Sequence, residues 1–349
     1  MNKLILCFLT LSLIAGTSLV IISKHWFIIW LGLEISTLSI IPLLNTKRKP
    51  RRKEATIKYF LVQAFRAAIL LKGATLNLWL SKSWKIKETA NSKRCYIIIL
   101  IALLIKLGVA PCHFWLPDVV RGLPFIKGLI ITCWQKIAPL IILAVLMTEN
   151  LPKEIIMLSA IVSVFVGGWG GLNQIRIRKI LAYSSISHLG WIIAALFFVP
   201  SISLTLFILY ILTKTMIFLL CHKKKLYYLS KLRKTKIIPF TSSLFSITLL
   251  SLGGLPPLSG FINKLIPSII FIKNLKGFIA PLFLFRSLIS LYFYLRIVFK
   301  TRLILFPNKR IKILLINTKA SKTIKNFIRR IFPLILWGLP LLPFFILFI

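Results

Sequence analysis

Apolar runs of about 18 or more residues recur along the whole chain, separated by short polar or basic segments. A run of that length is typical of a helix that spans a lipid bilayer, and a water-soluble fold cannot bury so many of them. The pattern predicts an all-α integral membrane protein, a single polytopic domain over residues 1–349 with about eleven transmembrane helices. The predicted helices cover residues 4–23, 25–45, 57–81, 96–116, 125–147, 153–172, 177–198, 201–222, 238–274 with an interruption, 276–299 and 330–349.

Proline and glycine interrupt some of these runs. The helices are expected to be discontinuous near Pro111 and near Pro256-Pro257, and a weaker break is predicted at Pro139. Proline removes a backbone donor and collides with the preceding turn of a helix. Irregular backbone at membrane depth is tolerated only where it is buried in protein or lines a hydrated cavity, so these breaks indicate functional regions.

A lysine accompanies each predicted break: Lys106, Lys136 and Lys264. An ionisable side chain in mid-span costs roughly 2.5–3.5 kcal/mol on insertion scales, so such residues are rarely present without a function. A buried lysine gains or loses its proton when a nearby carboxylate moves or water enters, which makes it a switchable proton carrier. The ionisable residues predicted in mid-span are Glu34, Arg66, Lys72, Lys106, Lys136, His188, Lys214, Lys264, Arg286 and Arg296.

Two further features bear on proton transfer. Glu34 is one of six acids in the chain and lies in an apolar helix, where it either serves a proton relay or joins two helices through a hydrogen bond. His188 follows Ser184 and Ser185 on one predicted helix. These three residues are candidates for relay support, and the alternative for His188 is a histidine hydrogen-bonded within a helix bundle.

The charge balance is strongly basic, with 47 Lys and Arg against 6 Asp and Glu and a formal net charge of +41. A nucleic-acid partner is excluded because the chain is 58% apolar and lacks a polar surface for a basic patch. Basic segments instead indicate topology, since Lys and Arg stay on the side of insertion. Residues 47–53, 176–179, 223–236 and 300–330 fall on one side and 82–94 on the other, which places the N-terminus inside and the C-terminus outside.

Other site classes find little support. The five cysteines form no CxxC and no Cys/His ligand spacing, so no metal site or disulfide framework is predicted, and they are expected to be small buried residues. The glycines of residues 167–171 lack the spacing of a nucleotide-binding loop and lie in an apolar run. Close helix packing is the better interpretation of these glycines.

Seven motifs together resemble the antiporter-like subunits of respiratory complex I, a family typified by mitochondrial NADH-ubiquinone oxidoreductase chain 2. Their order and spacing match that family over roughly residues 26–300, which would form the core proton-translocation module. The motifs are residues 30–35, 58–63, 106–118, 134–139, 167–174, 178–191 and 253–261.

The resemblance implies a role for particular residues. Glu34 corresponds to the charge-coupling glutamate of the family and Lys106 to its partner on the first broken helix. Lys136 corresponds to the central relay lysine, and Lys264 to the exit-side lysine on the second broken helix. The implied activity is proton translocation across the inner mitochondrial membrane, coupled to electron transfer from NADH to ubiquinone.

The resemblance also implies partners and location. The chain would bind no cofactor and no metal and do no redox chemistry itself, because NADH, FMN, the iron–sulfur clusters and ubiquinone belong to partner subunits. Its partners would be other membrane subunits of complex I, with the N-terminus in the matrix and the C-terminus in the intermembrane space. The alternatives are a stand-alone cation/proton antiporter, which shares these lysines, and a purely structural membrane scaffold.

One departure concerns the charges at Arg66, Lys72 and Arg286, where the family generally has small or neutral residues. With 47 Lys and Arg but only six acids in the chain, most of the basic side chains lack an acidic partner. One hypothesis is that many of the Lys and Arg residues are translation artefacts. In some animal mitochondria AAA is read as Asn and AGA or AGG as Ser, so translation with another genetic code would write Lys and Arg where the protein has Asn and Ser. The competing interpretation is a basic protein bound to anionic phospholipid such as cardiolipin.

Overall fold

The computed structural model describes residues 3–45, 49–86, 93–147, 154–230, 239–274, 279–302, 331–333 and 335. Thirteen helices and one π-helical turn form the described part of the chain, where strand pairing is limited to two isolated β-bridges. The helices are α1 Lys3–Ile22, α2 Trp26–Leu44, α3 Pro50–Ser81, α4 Lys93–Leu107, α5 Trp115–Gly122, α6 Phe125–Leu129, α7 Gln135–Met147, α8 Glu154–Leu172, α9 Ile177–Phe198, α10 Pro200–Lys224, α11 Pro239–Gly253, α12 Ser259–Lys273 and α13 Ile279–Arg302.

The all-helical membrane fold agrees with the hydropathy pattern. Within the described residues, eight helices are long and apolar enough to cross a membrane. The predicted helix over residues 96–116 corresponds to α4 and the turns after it, and the interrupted helix over 238–274 corresponds to α11 and α12. The predicted last helix, 330–349, falls almost entirely outside the described residues.

The chain forms two compact units. The first comprises Met1–Ser163 and Ile193–Leu204, and within it α1 packs on α2 while α3 packs on α2, α4 and α5. The second comprises Val164–Ile192 and Thr205–Ile349, and within it α11 packs on α12 and α13. The helices α8, α9 and α10 each contribute residues to both units.

The predicted break near Pro111 is confirmed, and glycine ends the helix. Gly108 has φ +69°, a left-handed conformation that costs L-residues energy. Its N–H donates to the Ile105 carbonyl at 3.1 Å, and the N–H of Val109 donates to the Leu104 carbonyl at 3.3 Å. This pair of bonds is a Schellman motif, which satisfies carbonyls that a helix end leaves unpaired.

The predicted break near Pro256-Pro257 is built in the same way. Gly254 has φ +78°, its N–H donates to Ser251 at 3.0 Å, and the N–H of Leu255 donates to the Leu250 carbonyl at 3.4 Å. The chain becomes helical again at α12. Both discontinuous helices therefore end on a glycine-based Schellman motif a few residues before the prolines.

The weaker break predicted at Pro139 is wrong, because α7 continues through this residue to Met147. The irregularity lies one turn earlier, in the π-helical turn Ile130–Trp134. Pro139 cannot donate to the carbonyl of Gln135, four residues before it. Since Gln135 directly follows the wider π turn, the helix accommodates the proline there without ending.

The glycine-rich segment supports close packing, as predicted. A Cβ atom on Gly167 would lie 2.6 Å from the backbone nitrogen of Ser187 on α9. A Cβ on Gly171 would lie 2.9 Å from the ring of Phe293 on α13. Only hydrogen at these positions allows α8 to approach its neighbours so closely.

Contacts between connecting segments agree with the predicted alternation of sides. His25 forms a β-bridge with Lys85, and both connections are assigned to the side opposite the N-terminus. Arg176 forms a β-bridge with Tyr228, and both are assigned to the N-terminal side. Segments that touch must lie on the same face of a membrane, so these two bridges support the order of the spans.

All five cysteines are free. Cys95, Cys133 and Cys221 are buried as expected, whereas Cys7 is exposed and Cys112 is partly exposed. The expectation of burial is therefore wrong for Cys7, which lies on the outer face of the apolar helix α1. Outside a membrane such a face would be unfavourable, but hydrocarbon or a neighbouring subunit can cover it.

Replacement of Gly108 by alanine should destabilise the protein. A non-glycine residue in the left-handed region costs roughly 1–2 kcal/mol, and the added Cβ would lie 3.2 Å from the Trp115 ring. We expect Gly108→Ala to lower the thermal unfolding midpoint of the purified assembly. Gly168→Ala is the matched control, since its Cβ would meet its nearest neighbour at 3.4 Å. Equal midpoints for the two variants would contradict the role given to Gly108.

Candidate functional site

The first compact unit holds a buried ion pair between α2 and α3. The Arg66 Nη2 atom lies 2.9 Å from the Glu34 Oε1 atom, and the Arg66 side chain is fully buried while that of Glu34 is 21% exposed. The hydroxyl of Thr37 donates to the backbone carbonyl of Glu34 at 2.9 Å and lies 3.4 Å from its other carboxylate oxygen. Glu34 therefore joins α2 to α3 through one charge-assisted hydrogen bond, which is the structural alternative described for it above.

Lys106 lies beside this ion pair, in the last turn of α4. Its side chain is buried at 2% exposure, and Nζ donates to the backbone carbonyl of Leu33 at 3.3 Å. The ammonium is close enough to interact electrostatically with both Glu34 and Arg66. The helix end also favours a cation here, because the last carbonyls of a helix carry partial negative charge.

The structure brings Glu34 and Lys106 together, but the direct partner of Glu34 differs from the expectation. Among the described ion pairs, Glu34 is joined to Arg66, and Lys106 contacts the residue that precedes Glu34. A guanidinium competes effectively for a carboxylate because it is planar and presents several donors. Sequence spacing could not show this, since Arg66 is 32 residues from Glu34.

The groups around Arg66 do not complete its hydrogen bonding. Nε and Nη1 of Arg66 are buried and have no hydrogen-bond partner in the described residues. Tyr59, on the same helix, lies close enough to interact electrostatically with Arg66 and Glu34, yet its buried hydroxyl is also unpaired. The side-chain oxygen of Gln63 is a further buried acceptor without a partner. The polar pocket is thus incompletely satisfied.

Lys136 occupies a second buried position in the first unit. It is 1% exposed and lies at the start of α7, directly after the π-helical turn Ile130–Trp134. The neighbouring Gln135 donates from Nε2 to the Ser36 carbonyl on α2 at 3.3 Å, which fixes this turn against the helix that carries Glu34. Single π turns inside helices are frequent at functional sites.

Lys264 lies in the second unit, at the other helix break. Its Nζ donates to the backbone carbonyl of Gly253, the last residue of α11, and its side chain is 6% exposed. A Cβ on Gly254 would lie 2.8 Å from the Lys264 side chain, so glycine is needed for the lysine to reach this carbonyl. The end of α11 thereby provides an acceptor with partial negative charge for the ammonium.

The predicted relay-support residues are buried in the second unit. Ser184 accepts a hydrogen bond from Nζ of Lys214, which also donates to the Leu181 carbonyl at 3.0 Å. His188 lies one turn further along α9 and interacts electrostatically with Lys214 and Lys264. Ser185 donates its hydroxyl to the Ala182 carbonyl at 2.6 Å, a local bond within the helix. Ser184 and His188 thus share one polar cluster, and Ser185 is bonded within its own helix.

Two residues of these clusters were not among the candidate site residues. Lys214 and Arg66 are both fully buried, and the sequence indicates each only as a charge in mid-span. Only the fold places Lys214 next to Ser184 and Arg66 next to Glu34. Lys72 is exposed on α3, in contrast to the expected burial.

Arg286 has a different environment from Arg66. Its guanidinium lies over the Phe165 ring at 4.0 Å and near the Trp169 ring at 5.6 Å, and its buried Nε has no hydrogen-bond partner in the described residues. Cation–π contacts of this kind are attractive, although they leave the polar nitrogen without an acceptor.

The chemistry available in these clusters is proton transfer. Amines, a carboxylate, an imidazole and hydroxyls all exchange protons, and they are held in low-dielectric surroundings where a moving charge has a large effect. Among the described residues, no group of three or more His, Cys, Asp or Glu side chains could hold a metal ion.

Comparison with known proteins gives a consistent result. The family model described as "NADH:quinone oxidoreductase/Mrp antiporter, TM" matches residues 23–290. A relative from Paracentrotus lividus, named NADH-ubiquinone oxidoreductase chain 2, is 47% identical over 90% of this chain and 89% of its own length. A relative of the same name from Equus asinus is 41% identical over 88% of this chain and 89% of its own length.

A solved structure shares the fold. It is described as respiratory complex I from Thermus thermophilus with bound Aureothin, and one of its chains matches with a TM-score of 0.80 and 27% identity. The match covers 95% of this chain and 77% of the chain in that structure. Together with the family model and the relatives, this shows that the chain belongs to the NADH-ubiquinone oxidoreductase chain 2 family of antiporter-like membrane subunits.

Proposed function

We propose that the chain is a membrane subunit of a respiratory NADH:ubiquinone oxidoreductase and carries protons across the inner mitochondrial membrane. The observation that carries this proposal is the placement of Lys106. It is buried beside Glu34 at the end of a broken helix, with a backbone carbonyl as its hydrogen-bond acceptor. A lysine held in this way can change its protonation when the charge beside it moves.

The proposed cycle begins at Glu34. A change that arrives from a neighbouring subunit shifts the Glu34 carboxylate towards Lys106 or away from it. Approach stabilises the ammonium form of Lys106, and retreat favours release of its proton. The only bonds that break and form in this step are N–H and O–H bonds, so no electron transfer is required within the chain.

The proton then passes by Lys136 and leaves by way of Lys264. The helix-end carbonyl of Gly253 supports this role, since it stabilises the ammonium of Lys264 without a permanent countercharge. A carboxylate in its place would hold the proton more tightly and slow its release. Ser184 and His188 supply hydroxyl and imidazole groups that can exchange a proton within the second unit.

The redox chemistry belongs to the partner subunits in this proposal. NADH, FMN, iron–sulfur clusters and ubiquinone bind there, and this chain contributes to the translocase through its buried charges. Other membrane subunits of the complex are the proposed partners, and the exposed apolar face of α1 is available to them or to lipid.

Replacement of Lys106 tests the relay. We expect Lys106→Met to lower the number of protons moved per NADH oxidised, while NADH oxidation itself continues, because the side chain can no longer carry a proton. The measurement is the proton stoichiometry of the purified complex in sealed liposomes. Lys72→Met is the matched control, since Lys72 is exposed. A scaffold role predicts instead that Lys106→Met impairs assembly and leaves the stoichiometry of the assembled complex unchanged.

Purification separates the proposed function from that of a stand-alone cation/proton antiporter. We expect the chain to be recovered from mild detergent in a large assembly that oxidises NADH. The proposed cycle requires this, because the movement of Glu34 is driven by a neighbouring subunit. Native electrophoresis with an in-gel NADH oxidation assay provides the measurement. Recovery of the chain on its own, with cation/proton exchange in liposomes, would overturn the proposal.

Orientation in the membrane can be tested with a matched pair of exposed loop lysines. Lys82 and Lys225 both have positive φ values and lie in connections assigned to opposite sides. We expect a membrane-impermeant thiol reagent to label Lys225→Cys only from the matrix side and Lys82→Cys only from the intermembrane side. The opposite labelling pattern would reverse the orientation.

A further inference from the structure

The contacts around Glu34 oppose a direct pair between Glu34 and Lys106, because Arg66 competes for the same carboxylate. One carboxylate, that of Glu34, lies near two buried basic side chains, Arg66 and Lys106. The guanidinium takes the carboxylate at 2.9 Å, and the ammonium is left with a backbone carbonyl. A cation at position 66 therefore withdraws Glu34 from the lysine that the proposed function requires.

The surroundings of Arg66 do not compensate its charge either. Its side chain is fully buried, and two of its three nitrogens, Nε and Nη1, have no hydrogen-bond partner in the described residues. Natural proteins rarely leave buried charged donors unsatisfied, because desolvation then exceeds what the remaining contacts return. Arg66 is thus unfavourable by burial, by hydrogen bonding and by local charge balance.

We infer that the polypeptide of the working complex carries serine at position 66, which leaves the Glu34 carboxylate free for Lys106, its partner in the proposed function. Serine and arginine share the codons AGA and AGG between genetic codes, and some animal mitochondria read both as serine. A serine on α3 can return its hydroxyl to a carbonyl of its own helix, as Thr56 does to Lys53 at 2.7 Å. One carboxylate and one ammonium then remain, and the pocket is neutral.

This inference rests on the proposed function, since only a relay requires the Glu34 carboxylate to be available. Two other buried polar atoms of α3, the side-chain oxygen of Gln63 and the hydroxyl of Tyr59, also have no hydrogen-bond partner in the described residues. Replacement of the guanidinium by a serine hydroxyl leaves space in which a water molecule could bind to the polar atoms of Tyr59 and Gln63.

Peptide sequencing by mass spectrometry of the subunit from the native complex tests the residue. Trypsin cleaves after Lys and Arg, so we expect the peptide that begins after Lys58 to continue uncut through position 66 and to contain serine there. The matched controls in the same denatured digest are the lysines that the relay requires, Lys106, Lys136 and Lys264, which should be read as lysine. Arginine at position 66 overturns the inference.

A density map of the same native preparation tests the pairing. We expect the Glu34 carboxylate within about 4 Å of the Lys106 ammonium, the usual limit for an ion pair. Serine at position 66 with Glu34 still turned away from Lys106 overturns the proposed switch of partner. These outcomes are separate from that of Lys106→Met, because that variant measures whether Lys106 carries protons and the peptide and density measurements determine residue 66 and the partner of Glu34.

Discussion

Burial of charge in a medium without water is the constraint on which the arrangement of this protein depends. An ionised side chain at membrane depth needs a partner that the protein itself provides. In the first compact unit that partner is the carboxylate of Glu34, which lies near both Arg66 and Lys106. Glu34 thus links α2 to α3 through the ion pair and lies near the lysine of α4.

Backbone carbonyls meet the same need where no carboxylate is present. A helix that ends inside the membrane leaves its last carbonyls unpaired, and these carry partial negative charge. Lys106 lies in the last turn of α4, and Lys264 donates to the final residue of α11. The helix breaks therefore do more than bend the chain, because each creates a polar environment for a lysine. A partner made of dipoles stabilises the ammonium less than a full countercharge does, which suits a group that must also release its proton.

The helix breaks were the most predictable part of the fold. Glycine and proline together identify the interruptions near Pro111 and Pro256-Pro257, since glycine alone among the residues adopts positive φ without cost. Pro139 shows the limit of this reasoning. A proline ends a helix only when the neighbouring turns cannot adjust, and the π-helical turn before Gln135 depends on packing that no short motif specifies.

The sequence by itself determined the membrane class, the approximate spans and most of the buried charges, because hydrocarbon imposes length and polarity on each segment separately. Which charges meet was decided only by the tertiary structure. Glu34 and Arg66 are 32 residues apart, and Lys214 and Ser184 are 30 apart, so their contacts arise from helices that pack side by side. The pattern along a chain shows what must be buried, whereas the partner of each buried group depends on how the helices are rotated and placed against one another.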